Sequence, residues 1–327
     1  MFKTRITEML DIRYPIIGGG MFLLSTAELA AAVSEAGGLG IMASSNFTTA
    51  EGLRDEIRKA KSLTDKPLGV NINMFLREGS PWPNDEFVEV VVEEGIKAVE
   101  TSGIRTPEEY LPRLREGNVK VIHKVTTVRH ALKAENVGVD AVGVVGMENG
   151  GAVGMEDLTT MVVIPSAVNA LSVPVLAGGG IGDARGFVAA LALGADGVII
   201  GTRFIATREC PAHQSFKEWL VSAKETDTVL VERSIKLTHR ALRNSMSDRV
   251  LEMEARGAPF EEFLPFIGGE SKKELFLEGK LDAGIALAGQ VVGLIDDIPT
   301  VKEVIENIVH GARVVGKRLA SMGVLEE

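Results

Sequence analysis

From about residue 14 to about residue 224 the chain repeats one pattern, a short β-branched or apolar run followed by an amphipathic stretch. The runs fall at 15–17, 38–42, 68–72, 98–101, 119–123, 141–145, 173–177 and 197–200. Helical periodicity fills 26–36, 49–62, 84–94, 106–116, 126–137 and 183–193 between them. Strands that all run the same way need long crossovers, and a helix is the usual one. Eight such units predict an α/β fold, a (β/α)8 TIM barrel, for which about 250 residues suffice. A doubly wound open sheet is the alternative, but it usually has fewer strands and an early glycine fingerprint. Here the glycine-rich junctions come late. The turns agree with this phasing. Asp65-Lys66-Pro67 and Leu171-Ser172-Val173-Pro174 lead into strands, while Gly138-Val139-Asp140 and Gly194-Ala195-Asp196 are helix ends followed by strands.

After about residue 226 the pattern changes. Residues 227–280 read as helical with no obvious strand run, and two further helices are expected between 282 and 321, one containing Ala286-Leu287-Ala288-Gly289-Gln290. The 327 residues therefore divide into a barrel (1–225), a small, mainly helical subdomain covering the barrel mouth or forming an interface (226–280), and C-terminal helices packing back on the barrel (281–327).

Composition narrows the partners. A net charge of −10 argues against a general nucleic-acid binder, which normally shows a basic stripe. The single cysteine, Cys210, excludes an intramolecular disulfide and any multi-cysteine metal site and suits a reducing compartment. Residues 1–8 are mixed and charged, with no signal-peptide core, and no apolar run approaches the ~20 residues of a membrane span. These features predict a soluble cytoplasmic protein with a small-molecule substrate, no nucleic-acid or membrane partner, and a homodimer as the candidate assembly.

Two late strand-to-helix junctions carry the clearest chemistry. Ala177-Gly178-Gly179-Gly180-Ile181-Gly182 follows one apolar run and Ile200-Gly201-Thr202-Arg203-Phe204 follows the next. Backbone N–H groups crowded at such junctions form an anion site, and two in succession near the end of a barrel suggest its phosphate site. Gly18-Gly19-Gly20-Met21 ends the first run. Its glycines let backbone approach a flat ligand and Met21 offers a soft apolar surface, although a turn explains them equally well. Asn71 ends the third run with an amide that can both donate and accept at a heterocycle edge. His123-Lys124 ends the fifth. Lys124 can stabilise negative charge on a ring as it is reduced, and His123 is a weak candidate for proton transfer beside the simpler reading of a wall residue. There is no His-x-x-x-His pair, no nucleophile elbow and no P-loop. A barrel with this equipment needs a cofactor for its chemistry, and a phosphorylated flavin fits.

Together Ile17-Gly18-Gly19-Gly20-Met21, Gly37-Gly38-Leu39-Gly40, Gly69-Val70-Asn71, Val121-Ile122-His123-Lys124, Gly178-Gly179-Gly180-Ile181 and Gly201-Thr202-Arg203-Phe204 resemble the nitronate monooxygenase (2-nitropropane dioxygenase) family. That family includes FMN-dependent enoyl-ACP reductase II and an NADH:quinone reductase. The resemblance extends to Arg208-Glu209-Cys210-Pro211 and Ala288-Gly289-Gln290. It implies FMN as cofactor, with NADH or NADPH as candidate co-substrate. It further implies that Gly19, Gly20 and Met21 pack at the flavin, that Asn71 and Lys124 contact the isoalloxazine, and that Gly151 lies near the ring. Gly178, Gly179, Gly180, Gly201 and Thr202 would hold the phosphate, Thr202 adding a hydroxyl donor. One departure stands out. The family loop reads like Gly-x-Glu-x-x-Gly-His, whereas this chain has Gly146-Met147-Glu148-Asn149-Gly150-Gly151-Ala152, with Ala152 at the histidine position. Alanine cannot transfer a proton, so the catalytic residue is left unassigned.

Three readings follow. The first is an FMN-dependent oxidoreductase passing electrons from NAD(P)H to a small organic acceptor such as a quinone or an enoyl thioester. The second is oxidation of alkyl nitronates, which arrive already deprotonated. The third is a flavin-binding protein with little turnover.

Overall fold

The computed structural model describes residues 2–74, 82–103, 105–267 and 269–324. Its strands are β1 (Ile16–Gly18), β2 (Gly40–Ala43), β3 (Leu68–Asn73), β4 (Ala98–Ser102), β5 (Lys120–Val125), β6 (Ala141–Val145), β7 (Gly151–Ala152), β8 (Val175–Gly178), β9 (Gly197–Ile200), β10 (Thr228–Val231), β11 (His239–Leu242) and β12 (Ala286–Leu287). Eight of these form one parallel sheet in the order β1-β9-β8-β6-β5-β4-β3-β2. A parallel bridge between Ile17 and Leu39 closes it into a barrel. Each barrel strand begins and ends within two residues of the run that predicts it.

Between the strands run α2 (Ala27–Glu35), α3 (Ala50–Leu63), α4 (Asn84–Glu93), α5 (Leu111–Glu116), α6 (Val128–Val137), α7 (Thr160–Ala170) and α8 (Ala184–Ala192), preceded by α1 (Arg5–Leu10) and followed after β9 by α9 (Thr202–Ile205) and α10 (Gln214–Ser222). Side-chain oxygens cap several of them: Thr49 accepts from Gly52 N, Thr127 from His130 N, and Asp183 from Arg185 N and Gly186 N. The expected helix at 106–116 is shorter than its periodicity suggests. It starts at Leu111 with Pro112 in its first turn, where a missing N–H costs nothing.

Alternation along the strands makes two cores. Ile17, Leu39, Ile41, Ala98, Ile122, Ala141, Leu176 and Ile199 fill the barrel interior together with Ile6, Leu10 and Ile12. The last three come from α1 and the turn after it, which plug the end where the strands begin. Arg5 fastens the plug, reaching Asp196 at 2.7 Å and Ser172 O at 2.6 Å. Burying Ile6 and Leu10 contributes about 1.5–3 kcal/mol each. The plug leaves the opposite end, at the C-terminal ends of the strands, as the open mouth.

The C-terminal third departs from its reading in two places. Residues 227–280 are not wholly helical. They hold α11 (Ser245–Ala255), α12 (Phe260–Ile267) and α13 (Gly269–Phe276), but also β10 and β11, which pair antiparallel. The segment around Ala286-Leu287-Ala288-Gly289-Gln290 is not a helix: β12 pairs with β11, and a 3-10 turn over Gln290–Leu294 follows. Gly284, Gly289 and Gly293 punctuate the stretch too often for a helix. The final helix, α14 (Val301–Ser321), lies against α2 and α8. Arg203 ties this tail to the barrel through Asp297 at 3.0 Å, and the Glu209 carboxylate accepts Val301 N at 2.9 Å where α14 begins. No described helix is long and apolar enough to cross a membrane.

Candidate functional site

The mouth is built around a carboxylate that the sequence reading passed over. Glu100 sits on β4 between Asn71 on β3 and the fifth strand, and parallel register sets Asn71 beside it. Its side chain points into the barrel and is fully buried. Glu100 Oε1 accepts from Asn71 Nδ2 at 2.9 Å and from Lys124 Nζ at 2.7 Å. Lys124 keeps 20% of its side chain exposed, so its ammonium bridges the buried acid and the open mouth. Glu100 Oε2 is buried and has no hydrogen-bond partner among the described residues. A charged residue inside the apolar run Ala98-Val99-Glu100-Thr101 was the available signal, because a carboxylate is almost never fully buried without a task or a partner.

The first glycine turn packs directly against this cluster. A Cβ on Gly20 would stand 2.5 Å from Asn71 Cβ, so backbone occupies space that any side chain would close. The turn is fixed by Ser25, whose buried hydroxyl donates to Gly19 O at 3.0 Å and accepts from Met21 N at 2.9 Å. Gly19 N donates to Ile200 O at 2.9 Å, joining the ends of β1 and β9. The Met21 sulfur lies 3.6 Å from where Gly201 would carry a Cβ. Gly19, Gly20, Met21, Asn71, Lys124 and Gly201 are thus brought together at one rim.

The late glycines continue the rim. Gly179 and Gly180 have φ of +91° and +73°, conformations that L side chains rarely adopt, and they turn the chain out of β8 beside Glu148. Gly201 leads into the short helix α9 (Thr202–Ile205). Thr202 is buried, and its Oγ1 accepts from Gly289 N at 3.0 Å, leaving the hydroxyl proton to donate. The loop after β6 is locked on both sides. Thr160 N and Oγ1 donate to the Glu148 carboxylate at 3.0 Å, and Gln290 N donates to Glu148 O at 3.0 Å. Glu148 is therefore a brace for the loop and the start of α7. Gly150 packs on Ala288 and Gly289, so Gly151 lies next to the segment that holds Thr202.

His123 does not join these residues. It alternates with Lys124, so its ring points out of the barrel wall, where Nδ1 meets Thr101 Oγ1 at 2.8 Å. Burial lowers its pKa to about 4, with positive neighbours adding to the effect, and it stands neutral at physiological pH. Ala152 is exposed on β7, which pairs antiparallel with β11. Cys210 is buried with its thiol pushed up to about 11 by desolvation, so it is inert.

The mouth thus offers a cation fixed by a buried acid, an amide, and two glycine turns rich in backbone N–H. These groups suit a planar, anionic molecule whose charge changes during reaction.

Comparison with known proteins identifies the family. A family model described as nitronate monooxygenase matches residues 3–311. FabK from Thermotoga maritima superposes with a TM-score of 0.90 at 38% identity, covering 98% of this chain and 100% of that one. A (3aS,4S,5R,7aS)-5-hydroxy-7a-methyl-1-oxo-octahydro-1H-indene-4-carboxyl-CoA dehydrogenase from Rhodococcus jostii (strain RHA1) is 33% identical over 99% of this chain and 98% of its own length. A probable nitronate monooxygenase from Staphylococcus saprophyticus is 33% identical over 77% of this chain and 82% of its own. The chain is an oxidoreductase, and it belongs to the nitronate monooxygenase family.

Proposed function

We propose that this chain is an FMN-dependent oxidoreductase that draws electrons from NADH or NADPH and reduces an activated, conjugated small molecule, with enoyl thioesters as the favoured class. The buried Glu100–Lys124–Asn71 cluster, set between glycine turns, carries this reading. FMN would supply a two-electron centre able to take and return a hydride. The residues present fit it. Glu100 Oε2 is an unmet buried acceptor of the kind a ligand N–H satisfies, and Gly20 leaves open a surface that a side chain would fill.

Each group then has a task. Lys124 holds positive charge where a reduced ring would develop negative charge, and Glu100 fixes the ammonium's direction. Asn71 donates to Glu100, leaving its amide oxygen for a ring N–H. Met21 gives the site an apolar wall that excludes water. Gly178, Gly179, Gly180, Gly201 and Thr202 hold the phosphate through backbone N–H groups and one hydroxyl. Gly151 lines the ring's edge, and Ala152 contributes no proton.

The thioester class draws support from the relatives matched over nearly their whole length, one named for a carboxyl-CoA substrate and the other for FabK, the enoyl-ACP reductase II of the family. Nitronate oxidation is the second reading, favoured by the family model and the Staphylococcus relative. Ala152 at the family histidine position weighs against neutral nitroalkanes, because general acid–base help is worth about 10²–10⁴-fold.

The test is spectroscopic. The purified protein, or apoprotein given FMN, should show a bound flavin spectrum, bleach anaerobically with NADH or NADPH, and recover its colour with crotonyl-CoA. Bleaching by propyl-2-nitronate but by neither nicotinamide would replace the first reading with the second. Protein that cannot be loaded with FMN sinks both.

A further inference from the structure

Outside the barrel rim, the described residues hold one histidine–carboxylate pair on the loop side of the mouth. His239 opens β11, and its Nδ1 is hydrogen-bonded to Glu232 Oε2. Glu232 is buried, with 4% of its side chain exposed, whereas the imidazole keeps 24%. Its Nε2 has no partner among the described residues, so one ring nitrogen is fixed and the other is open.

Strand register places this ring beside Ala152. β7 and β11 pair antiparallel with Ala152 opposite His239. Val153 N donates to Thr238 O at 3.1 Å, which makes 153/238 the hydrogen-bonded pair and 152/239 the non-hydrogen-bonded one. In such a pair both side chains leave the same face, with Cβ atoms about 4.5–5.5 Å apart. Ala152 presents only a methyl group there and is exposed, so nothing on β7 covers that flank of the imidazole. The preceding Gly150 packs on Gly289, which holds Thr202, so β7 continues directly from the rim.

The pair is also held in place at a cost. Glu232 has φ of +64°, a conformation unfavourable for a side-chain-bearing residue, and such strain persists only where surrounding bonds enforce it. Glu254 supplies them, accepting Glu232 N at 3.1 Å and Ser234 N at 2.7 Å. Arg233 binds Asp157 through two bonds of 2.7 Å, pinning the turn to the loop that leaves β7.

We propose that His239, oriented by Glu232, is the proton donor for substrate bound above the barrel mouth, acting across Ala152. The inference rests on the flavin-reductase reading. Reduction of a 2-enoyl thioester adds a hydride, supplied by the nicotinamide-reduced cofactor, to the β-carbon. The α-carbon takes the proton from His239 Nε2, and water reprotonates the imidazole. Glu232 is a positioning residue. It fixes the ring so that Nε2 faces substrate. The charged groups that face the pair are Glu254 on α11, the half-buried Lys272 on α13 and the Arg233–Asp157 bridge. Arg240 lies on the other face of β11, bound to Met147 O.

The experiment uses FMN-loaded protein with ¹⁵N-labelled histidine, crotonyl-CoA as probe, and the variants His239→Gln, Glu232→Gln and, as control, His310→Gln. The His239 ring signals, assigned by their loss in His239→Gln, should move when crotonyl-CoA is added to oxidised protein, before any turnover. After anaerobic reduction, reoxidation by crotonyl-CoA should slow about 100-fold in His239→Gln and lose its alkaline decline. Glu232→Gln should slow reoxidation less than His239→Gln while keeping that decline, and His310→Gln should match the parent. Ring signals unmoved by crotonyl-CoA, or reoxidation in His239→Gln within about threefold of the parent with the same pH profile, overturn the proposal. Failure to bind FMN or to bleach with either nicotinamide overturns the underlying reading instead. If the parent bleaches but crotonyl-CoA does not reoxidise it, the thioester class is wrong. His239 signals that also fail to differ between oxidised and reduced protein then overturn the dyad as well.

Discussion

The Glu100–Lys124–Asn71 cluster grows out of three neighbouring barrel strands, whereas the His239–Glu232 pair sits on a turn between two short strands of the appended sheet. In the first, parallel register and a closed sheet leave the side chains no freedom, and a fully buried carboxylate is matched by one cation and one amide. In the second, a strained turn is clamped by backbone bonds and a surface ion pair, and the imidazole stays partly open to solvent. A rigid, neutralised cluster is suited to holding a ligand and shaping its charge. A half-open histidine beside an acid can meet a ligand or solvent without disturbing the core. Under the two proposals, binding and proton transfer belong to different parts of the fold, and the two parts should fail differently when altered.

The largest effect is expected at the barrel cluster. Lys124→Met removes the only cation bonded to Glu100 among the described residues and leaves a buried carboxylate unpaired. Breaking such a pair from one side costs about 4 kcal/mol. Urea unfolding should show that loss, and Glu100→Leu added to Lys124→Met should recover most of it. A loss no larger than that of an exposed ion pair would mean that Glu100 finds another partner, and the contrast between the clusters would collapse.

Next comes acid. His123 has a pKa depressed to about 4 from its ordinary 6.5, chiefly by burial, so the unfolded chain takes up a proton that the folded one refuses. The stability that the neutral ring preserves is complete above about pH 6.5 and is lost as pH falls toward 4, amounting to about 3 kcal/mol across that window. The expected slope reaches about 1.4 kcal/mol per pH unit and should vanish in His123→Asn. An unchanged slope would assign the acid sensitivity elsewhere. Either result separates the buried wall histidine from His239, whose side chain keeps 24% of its surface exposed.

Much of the barrel is legible in the sequence because each strand is a local apolar run whose neighbour in the sheet is the next or previous run. Glycine turns are equally plain, since close approach at Gly20 and positive φ at Gly179 and Gly180 leave little choice of residue. Glu100 escapes notice because one charge within an apolar run looks like an interruption until its neighbours Asn71 and Lys124 are seen beside it. The β10–β11 strands escape for a different reason. Thr228-Val229-Leu230-Val231 has β character, but β11 finds its other partners at Gly151–Ala152 and Ala286–Leu287, too distant in sequence for periodicity to register. Only strand register sets His239 beside Ala152.

A smaller effect is expected at Gly20. Gly20→Ala introduces a Cβ 2.5 Å from Asn71 Cβ, a stem atom that cannot swing away. Overpacking of this kind costs about 2 kcal/mol. Under the proposed function it also narrows the surface against which the flavin lies, so FMN occupancy after dialysis should fall along with the melting temperature. A lower melting temperature with full occupancy would confine Gly20 to packing.

The smallest change in stability should come from Arg233→Gln, and it is the sharpest probe of the contrast. Arg233 and Asp157 keep 38% and 48% of their side chains exposed, and ion pairs that open to solvent contribute little to folding. The urea midpoint should therefore stay where it is. The same bridge pins the turn that holds Glu232 in its strained conformation, so its loss frees Glu232 to relax away from His239. Bleaching by NADH or NADPH should proceed at the parental rate, while reoxidation by crotonyl-CoA slows, by less than in Glu232→Gln. A barrel-mouth variant should show the reverse, losing stability and flavin. If Arg233→Gln instead weakened flavin retention, the two clusters would be mechanically coupled, and the appended sheet would be part of the binding site as well as the proposed source of the proton.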